Sequence, residues 1–384
     1  MHAVITAGLV STITLFSPPV KPLTPERIQE LMKKLEEIDP DPRLKSLNGL
    51  QLHSPAIMEL ATAGPEVVPT LIDIYENKKN SPALRAHAAT AVARHLNGFF
   101  TVVDQRVVRL LKAGMKDVDP VVRRGILVGW VNWYRYEPDW LNERERNPAW
   151  PSLHSRTFPR HTARLFLPDF IEGLRDPNAS SASIMASKIS LLGEPGIGIK
   201  ELIEATQRPE PEIRGAAIVA LGRVGADSPE ALEVVMKFLA SKKYGPQTYR
   251  EFSRDDESKQ YLTAVCAIGL FGAKAKGAVP TLIETIESSG FKWQEFSSVY
   301  ECAVLALGLI GPAAKEAVPA IQKFIFVVGP STPQQLAMID ALEKIDLKAG
   351  AEARAKYQKI IDDFRRPRDL ELPPTIPPIP IPKP

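Results

Sequence analysis

The apolar pattern is most regular between Thr263 and Ile325, where it is written twice. TAVCAIGLFGAKAKGAVPTLIETI at 263–286 returns 39 residues later as CAVLALGLIGPAAKEAVPAIQKFI at 302–325, and twelve of the 24 aligned positions are identical. Self-similarity at a fixed period marks an internal repeat. In the first copy, Leu262, Ala264, Val265, Ile268 and Phe271 recur at steps of three and four, which is one face of a helix. Gly272 stands where a left-handed residue would end that helix. A second helix is predicted to open near Lys276, with Pro280 in its first turn and Val279, Leu282, Ile283 and Ile286 as its apolar stripe. The small residues Ala264, Ala267 and Gly269 admit a neighbouring helix at close range. Such a two-helix unit cannot bury both apolar faces alone, whereas stacked copies can, and the predicted fold is an all-α solenoid.

The same reading extends over the chain. A helix is predicted over 24–38, with Thr24 as its N-cap and Pro25 at the first helical position. Helix pairs follow at 54–63 and 66–77, and at 81–97 and 101–116. A third pair is 119–136 and 160–175, a fourth 178–192 and 196–206, and a fifth 210–224 and 228–240. The two matched copies make the sixth and seventh, and helices at 333–345 and 350–365 close the stack. The expectation is therefore about seven two-helix repeats over 24–366. Three insertions interrupt them, at Glu137–Pro159, Ser241–Glu257 and Ser288–Glu295. Unstructured stretches longer than about 12–15 residues in a compact array are usually functional or disordered.

The junction Gly-x-x-Ala-x-x-Ala-Val-Pro, at Gly272–Pro280 and Gly311–Pro319, resembles the HEAT repeat family, in particular the HEAT-like repeats of the phycobilisome lyase type. A helix opening with Pro, then Arg, then small residues is a second mark of that family. It stands at Pro82–Ala89, at Asp119–Arg123 and at Pro211–Ala217. The resemblance covers most of 50–345. It implies an α-solenoid, but the family hosts scaffolds, adaptors and a few enzymes, so it implies no single activity.

Composition narrows the picture little. The chain has 384 residues, 44% of them hydrophobic, and a net charge of +3, too small to imply a strongly electrostatic partner over the whole surface. It has only two cysteines. Aligned by repeat, Cys302 matches Thr263 and Cys266 matches Leu305. They are expected about one turn out of register, as small side chains between close-packed helices rather than as a disulfide. Residues 1–23 hold an apolar run, Ala3–Phe16, that suits a signal-peptide core but has neither a cationic start nor an Ala-x-Ala site. Two readings fit it, a signal remnant or a cap to the solenoid, and the balance leans toward an exported or cell-envelope protein over a cytoplasmic one. The run is too short for a membrane span. Residues 367–384 hold eight of the 35 prolines and are expected to form an extended, polyproline-like tail, a spacer with PxxP spacings at Pro374–Pro377 and Pro377–Pro380.

The densest polar-aromatic concentration lies in and before the first insertion. Trp130, Trp133, Trp140 and Trp150 are four of the five tryptophans, and Tyr134, Arg144, Arg146, His154 and His161 accompany them. Aromatics interleaved with arginine can stack on peptide, sugar or base. The alternative is that Trp130 and Trp133 fill a helix interface while Trp140 and Trp150 pin the insertion down. Enzyme signatures are scarce. There is no His-Glu-x-x-His, Cys-x-x-Cys, phosphate-loop lysine or Gly-x-Ser-x-Gly motif, and none of the six histidines precedes a glutamate. The last point departs from the di-iron hydroxylases built on HEAT-like repeats. No cofactor or metal is implied. The expected function is a non-enzymatic scaffold that binds a protein or peptide through its concave face and the aromatic insertion. The alternative is a nucleic-acid-binding, glycosylase-like protein, suggested by Arg106, Arg109, Lys112 and Lys116 on one second helix. A bilin lyase is implied by the family resemblance alone.

The tail reading predicts that deleting residues 367–384 leaves the melting temperature nearly unchanged, because a proline-rich extension buries little area. A calorimetric scan of the truncated chain checks this. A fall of several degrees would mean that the tail packs on the repeats.

Overall fold

A computed structural model describes residues 23–37, 55–63, 65–96, 105–129, 164–240, 256–289, 293–326 and 333–365. Among these residues there are helices and turns and no strand. The fold is all-α, an α-solenoid of stacked two-helix repeats. Residue contacts divide it into two compact units, 1–193 and 194–384, each described by itself.

The first unit contains α1 (Pro25–Glu37), α2 (Pro55–Thr62), α3 (Val68–Glu76), α4 (Pro82–Leu96), α5 (Gln105–Met115), α6 (Pro120–Gly129), α7 (Leu167–Glu172) and α8 (Ala179–Leu192). The second contains α9 (Ile199–Ala205), α10 (Pro211–Val224), α11 (Pro229–Ala240), α12 (Asp256–Ile268), α13 (Val279–Ser289), α14 (Trp293–Ile310), α15 (Val318–Phe324), α16 (Pro333–Ile345) and α17 (Leu347–Arg365). Seven of these helices open on a proline, whose missing N–H falls where no intrahelical acceptor exists. Short polar side chains complete the starts. Thr24 Oγ1 accepts from Arg27 N at 3.2 Å, Ser81 Oγ from Leu84 N at 3.2 Å, and Ser228 Oγ from Ala231 N at 3.1 Å.

First helices stack on first helices. In the first unit α2, α4, α6 and α8 pack in succession, and in the second α10, α12, α14 and α16 do so. Glycines set the spacing of these seams. A Cβ on Gly222 would lie 2.9 Å from Ala267 O, one on Gly269 2.7 Å from Ala306 Cα, and one on Gly308 2.7 Å from Ala341 Cα. In the first unit Gly125 meets Ala86 and Gly129 meets Ala93 in the same way. Real Cβ atoms do not approach so closely, so any larger residue would push the helices apart. Thr90, fully buried on α4, adds Oγ1 hydrogen bonds to Ala86 O at 2.8 Å and across the seam to Gly125 O at 2.7 Å.

Within repeats six and seven the helices are separated by tight 3-10 connections at Gly269–Ala278 and Gly311–Ala317. Gly272 has φ 57° and ψ −142°, and Gly311 has φ 75°. The positive φ expected from sequence is present, but the ψ of Gly272 lies outside the left-handed helical region, in territory open almost only to glycine. Residues 260–288 and 299–324 are apolar and long enough, by composition, to cross a membrane. Each is interrupted at its glycine and half buried among its neighbours, which fits paired core helices of the stack.

The third expected insertion is corrected. Ser288 and Ser289 belong to α13 and Trp293 to Glu295 to α14, so only 290–292 separates the helices. Residues 241–255 of the second insertion and all of 130–163, with the first insertion, lie outside the described residues, as do 1–22 and 366–384.

Gly311→Val tests the turn. A β-branched residue resists positive φ, and the expected cost is about 1 kcal/mol or more, read as a lowered melting temperature. An unchanged melting curve would mean that the connection rearranges without strain.

Candidate partner surface

The residues singled out from sequence, Trp130, Trp133, Tyr134, Trp140, Arg144, Arg146, Trp150, His154 and His161, all lie outside the described residues. The structure does describe the frame on either side of them. α6 is held against α4 up to Gly129, the last described residue before the segment. After it, Phe166 and Phe170 are fully buried on the way into and along α7. Arg123 on α6 clasps Asp176 beyond α7 with both carboxylate oxygens engaged, at 2.7 Å and 3.0 Å. Two exposed apolar side chains stand near this frame: Val118 before α6, at 94% exposure, and Leu165 before α7, at 54%. Isolated exposed apolar residues are ordinary, so their position beside the frame is the informative part.

The second helices carry the exposed charge. On α11 only Ala231, Val235 and Leu239 are buried, one stripe at steps of four, while Glu230, Glu233 and Lys237 are exposed. On α5 the buried stripe is Val107, Leu110, Leu111, Gly114 and Met115, leaving Arg106, Arg109 and, just past the helix, Lys116 exposed. That basic helix is not left open toward its neighbour. Lys112 lies 3.4 Å from Asp169, and Lys116 lies 2.7 Å from Glu172 and 3.5 Å from Asp169. Exposed Asp73 and Glu76 are on α3. The second helices of the first unit therefore alternate acidic, basic and acidic. In the second unit, exposed Glu204, Glu230, Glu233, Glu284 and Glu287 outnumber exposed Lys200, Lys237 and Lys323 on second helices. A duplex or single strand requires a continuous cationic track, and among the described residues neither unit presents one.

Buried charge sits at the turns between repeats. Arg85 pairs with Asp117, both almost fully buried, and donates to Tyr75 O at 3.0 Å; Lys78 reaches the same carboxylate at 3.3 Å. These partners and the backbone N–H of Asp119 outweigh burial and hold Asp117 below the usual carboxylate range. Near the surface, the exposed Lys315 lies 3.2 Å from Asp346.

Burial shifts three further titratable groups, of which His87 and Lys188 are buried and Glu301 is half buried. His87, 1% exposed on α4, has both ring nitrogens without a hydrogen-bond partner, and burial pushes it down to about 4. Among the described residues there is no His, Cys, Asp and Glu cluster that could hold a metal. Burial pushes Lys188 on α8 down to about 8. On α14, burial pushes Glu301 up to about 7. Sequence periodicity does not reveal Glu301, because a lone acidic residue in an apolar helix looks like a surface position.

The cysteines correct the register drawn from repeat alignment, although both are free thiols between packed helices, as expected. Cys266 on α12 and Cys302 on α14 are both half buried, and their sulfurs are 2.7 Å apart, with Cys266 donating to Cys302. Equivalence was the wrong test. Neighbouring repeats meet through opposite faces of equivalent helices, so contacting positions are offset. Thr263, the counterpart of Cys302, faces back toward α10, where a Cβ on Gly215 would lie 3.8 Å from its Oγ1, as Cys302 faces back toward α12.

Comparison with known proteins matches part of the chain. A profile described as HEAT repeats matches residues 167–251, which contain α7 to α11. The match supports the HEAT resemblance read from the junctions that follow it at 272–280 and 311–319, and the phycobilisome lyase type is not distinguished by it. Among solved structures the chain is similar to an engineered protein at 17% identity, over 90% of this chain and 85% of that one, with a TM-score of 0.45. It is similar to a second engineered protein at 15% identity, over 77% of this chain and 96% of that one, with a TM-score of 0.25. It is also similar to importin beta at 12% identity, over 88% of this chain and 60% of that chain, with a TM-score of 0.28. No curated protein matches at a significant level.

The two buried titrations have opposite signs. An unfolded histidine binds its proton near 6.5 and folded His87 only near 4, so stability falls as pH drops from 6.5 toward 4, by at most about 1.4 kcal/mol per pH unit. Unfolded glutamate ionises near 4.5 and folded Glu301 near 7, so stability falls as pH rises through that window. His87→Leu should flatten the acid side of a melting-temperature profile, and Glu301→Gln should flatten the rise side and raise the melting temperature at pH 8. Profiles parallel to the parent's would show that these groups are solvated.

Proposed function

We propose that this chain is a non-enzymatic interaction scaffold that binds a protein or peptide partner. The docking surface in this reading is the concave face of second helices together with the aromatic insertion. The observation that carries it is the division of labour within repeats. First helices are consumed in glycine-packed seams, whereas second helices bury one stripe and leave a charged face exposed. Mixed charge of alternating sign suits a polypeptide partner, whose charges also alternate, better than a polyanion.

Trp140 and Trp150 are the proposed anchors within 137–159. Trp130, Trp133 and Tyr134, which follow α6 in sequence, and Arg144, Arg146, His154 and His161 complete the proposed set. Aromatic and arginine side chains dominate interface energetics when they fill a partner's pockets. An insertion of this length costs little closure entropy, since that cost grows only logarithmically, so it can persist without a folding role.

The test is the double variant Trp140→Ala, Trp150→Ala, compared with the parent for partner affinity and melting temperature, after a partner is isolated by affinity capture and identified by mass spectrometry. Affinity should fall by about thirtyfold, the equivalent of about 2 kcal/mol for one anchor, with little change in melting temperature. Trp130→Ala or Trp133→Ala should instead destabilise the fold by about 3–5 kcal/mol if those rings are core. Normal affinity with a lowered melting temperature in the double variant would make the insertion structural packing.

A further inference from the structure

Cys266 and Cys302 are the only cysteines in the 384-residue chain, and the fold brings them together. They sit on α12 and α14, the first helices of adjacent repeats. Their meeting follows from the seam beside them. One turn on, Gly269, the residue that follows α12, meets the backbone of Ala306 of α14, where a Cβ would lie 2.7 Å from Ala306 Cα. Three residues separate Cys266 from Gly269 and four separate Cys302 from Ala306, so the cysteines occupy the same stripe of the same contact. Backbones that approach this closely leave room for two short side chains and no more. At 2.7 Å the sulfurs are inside ordinary non-bonded contact and near the ~2.0 Å of a bonded pair.

From this juxtaposition we propose that Cys266 and Cys302 are a redox-active pair that closes to an intrachain disulfide, stapling repeat six to repeat seven. The oxidant is a small-molecule or protein disulfide. One cysteine thiolate attacks the oxidant's disulfide and expels the first thiol. The second cysteine thiolate then attacks the mixed disulfide and expels the second. Two cysteine thiols are oxidised, one disulfide is reduced to two thiols, and the two protons lost from cysteine are taken up by the leaving thiolates. Both side chains are half buried rather than sealed, so a thin oxidant reaches them. The hydrogen bond with Cys266, and then burial, push the Cys302 thiol up, so closure quickens as pH rises. The bond encloses the whole of α13, and cross-linking a loop of that size restricts the unfolded chain substantially.

The experiment uses the full chain, reduced and then incubated with oxidised glutathione at pH 8. Remaining thiols are blocked with N-ethylmaleimide, and the intact protein and its peptides are weighed. The expected product carries no alkyl group and no glutathione, and yields one peptide pair joined through Cys266 and Cys302. Its melting temperature should be several degrees above that of the reduced chain, and dithiothreitol should reverse both changes. Cys266→Ala and Cys302→Ala chains should each keep one alkylatable thiol and show no oxidation-dependent melting shift. Two alkylated cysteines, two separate glutathione adducts, or linkage between two chains on a non-reducing gel would each overturn the proposal. Because the decisive masses are read on the natural chain, misfolding of a variant cannot obscure the outcome.

Discussion

At three successive seams a glycine in a first helix, or immediately after it, rests on an alanine of the next: Gly222 on Ala267, Gly269 on Ala306 and Gly308 on Ala341. A glycine inside a helix costs about 1 kcal/mol relative to alanine, so helix propensity opposes this choice. Packing reverses the balance, because each Cβ would strike backbone, which cannot swing aside as a side chain can. The distance between first helices is set there, and the neighbouring contacts inherit it. The cysteine pair, the full burial of Ala264, Val265 and Ile268, and the shortness of the link between α13 and α14 all depend on helices at that spacing.

The turns solve a second problem, which is how to stop one helix and start the next without orphaning backbone groups. The first unit uses buried ion pairs. Arg85 with Asp117 and Arg123 with Asp176 combine a guanidinium fork, a carboxylate and backbone carbonyls, including Tyr75 O and Asp117 O. Burying such pairs gains little net stability, but removing one partner leaves an uncompensated charge and is costly. Their chief effect is geometric, since a bidentate pair tolerates only one register. Repeats six and seven of the second unit use glycine instead, at Gly272 and Gly311, with Lys315 and Asp346 pairing near the surface.

Much of the fold was legible because its signals are local. Proline at the first helical position, a polar cap before it and apolar steps of three and four placed nearly every described helix within a few residues of its observed ends. Two errors share a cause, which is that tertiary contact decided the outcome. Ser288 to Glu295 looks like a loop by its Gly290, yet helix continues on both sides of 290–292 because α13 and α14 must span the same layer as their neighbours. The cysteines looked mismatched because equivalent positions were compared, whereas a stack joins the forward face of one repeat to the backward face of the next. Glu301 and His87 were silent for a similar reason: their shifted titrations come from what surrounds them, and residue spacing does not encode burial depth. The aromatic segment was conspicuous by composition alone, and its placement lies outside the described residues.

The two kinds of site make separable demands on the molecule. A partner surface built from second helices and an insertion changes affinity when its side chains are cut, while the seams keep the stack intact. The cysteine pair lies inside a seam, between first helices, so closing it leaves the exposed charged faces of α11 and α13 unaltered in composition. What it alters is the freedom of repeats six and seven to separate. In a solenoid, stability is close to a sum of intrinsic repeat terms and nearest-neighbour interfaces, so a staple at one interface protects that interface first and its neighbours only through it. Local opening, read by amide exchange across α12 and α14, is therefore the property most sensitive to the state of the two sulfurs, and the first-unit helices α4 and α6 provide its internal reference.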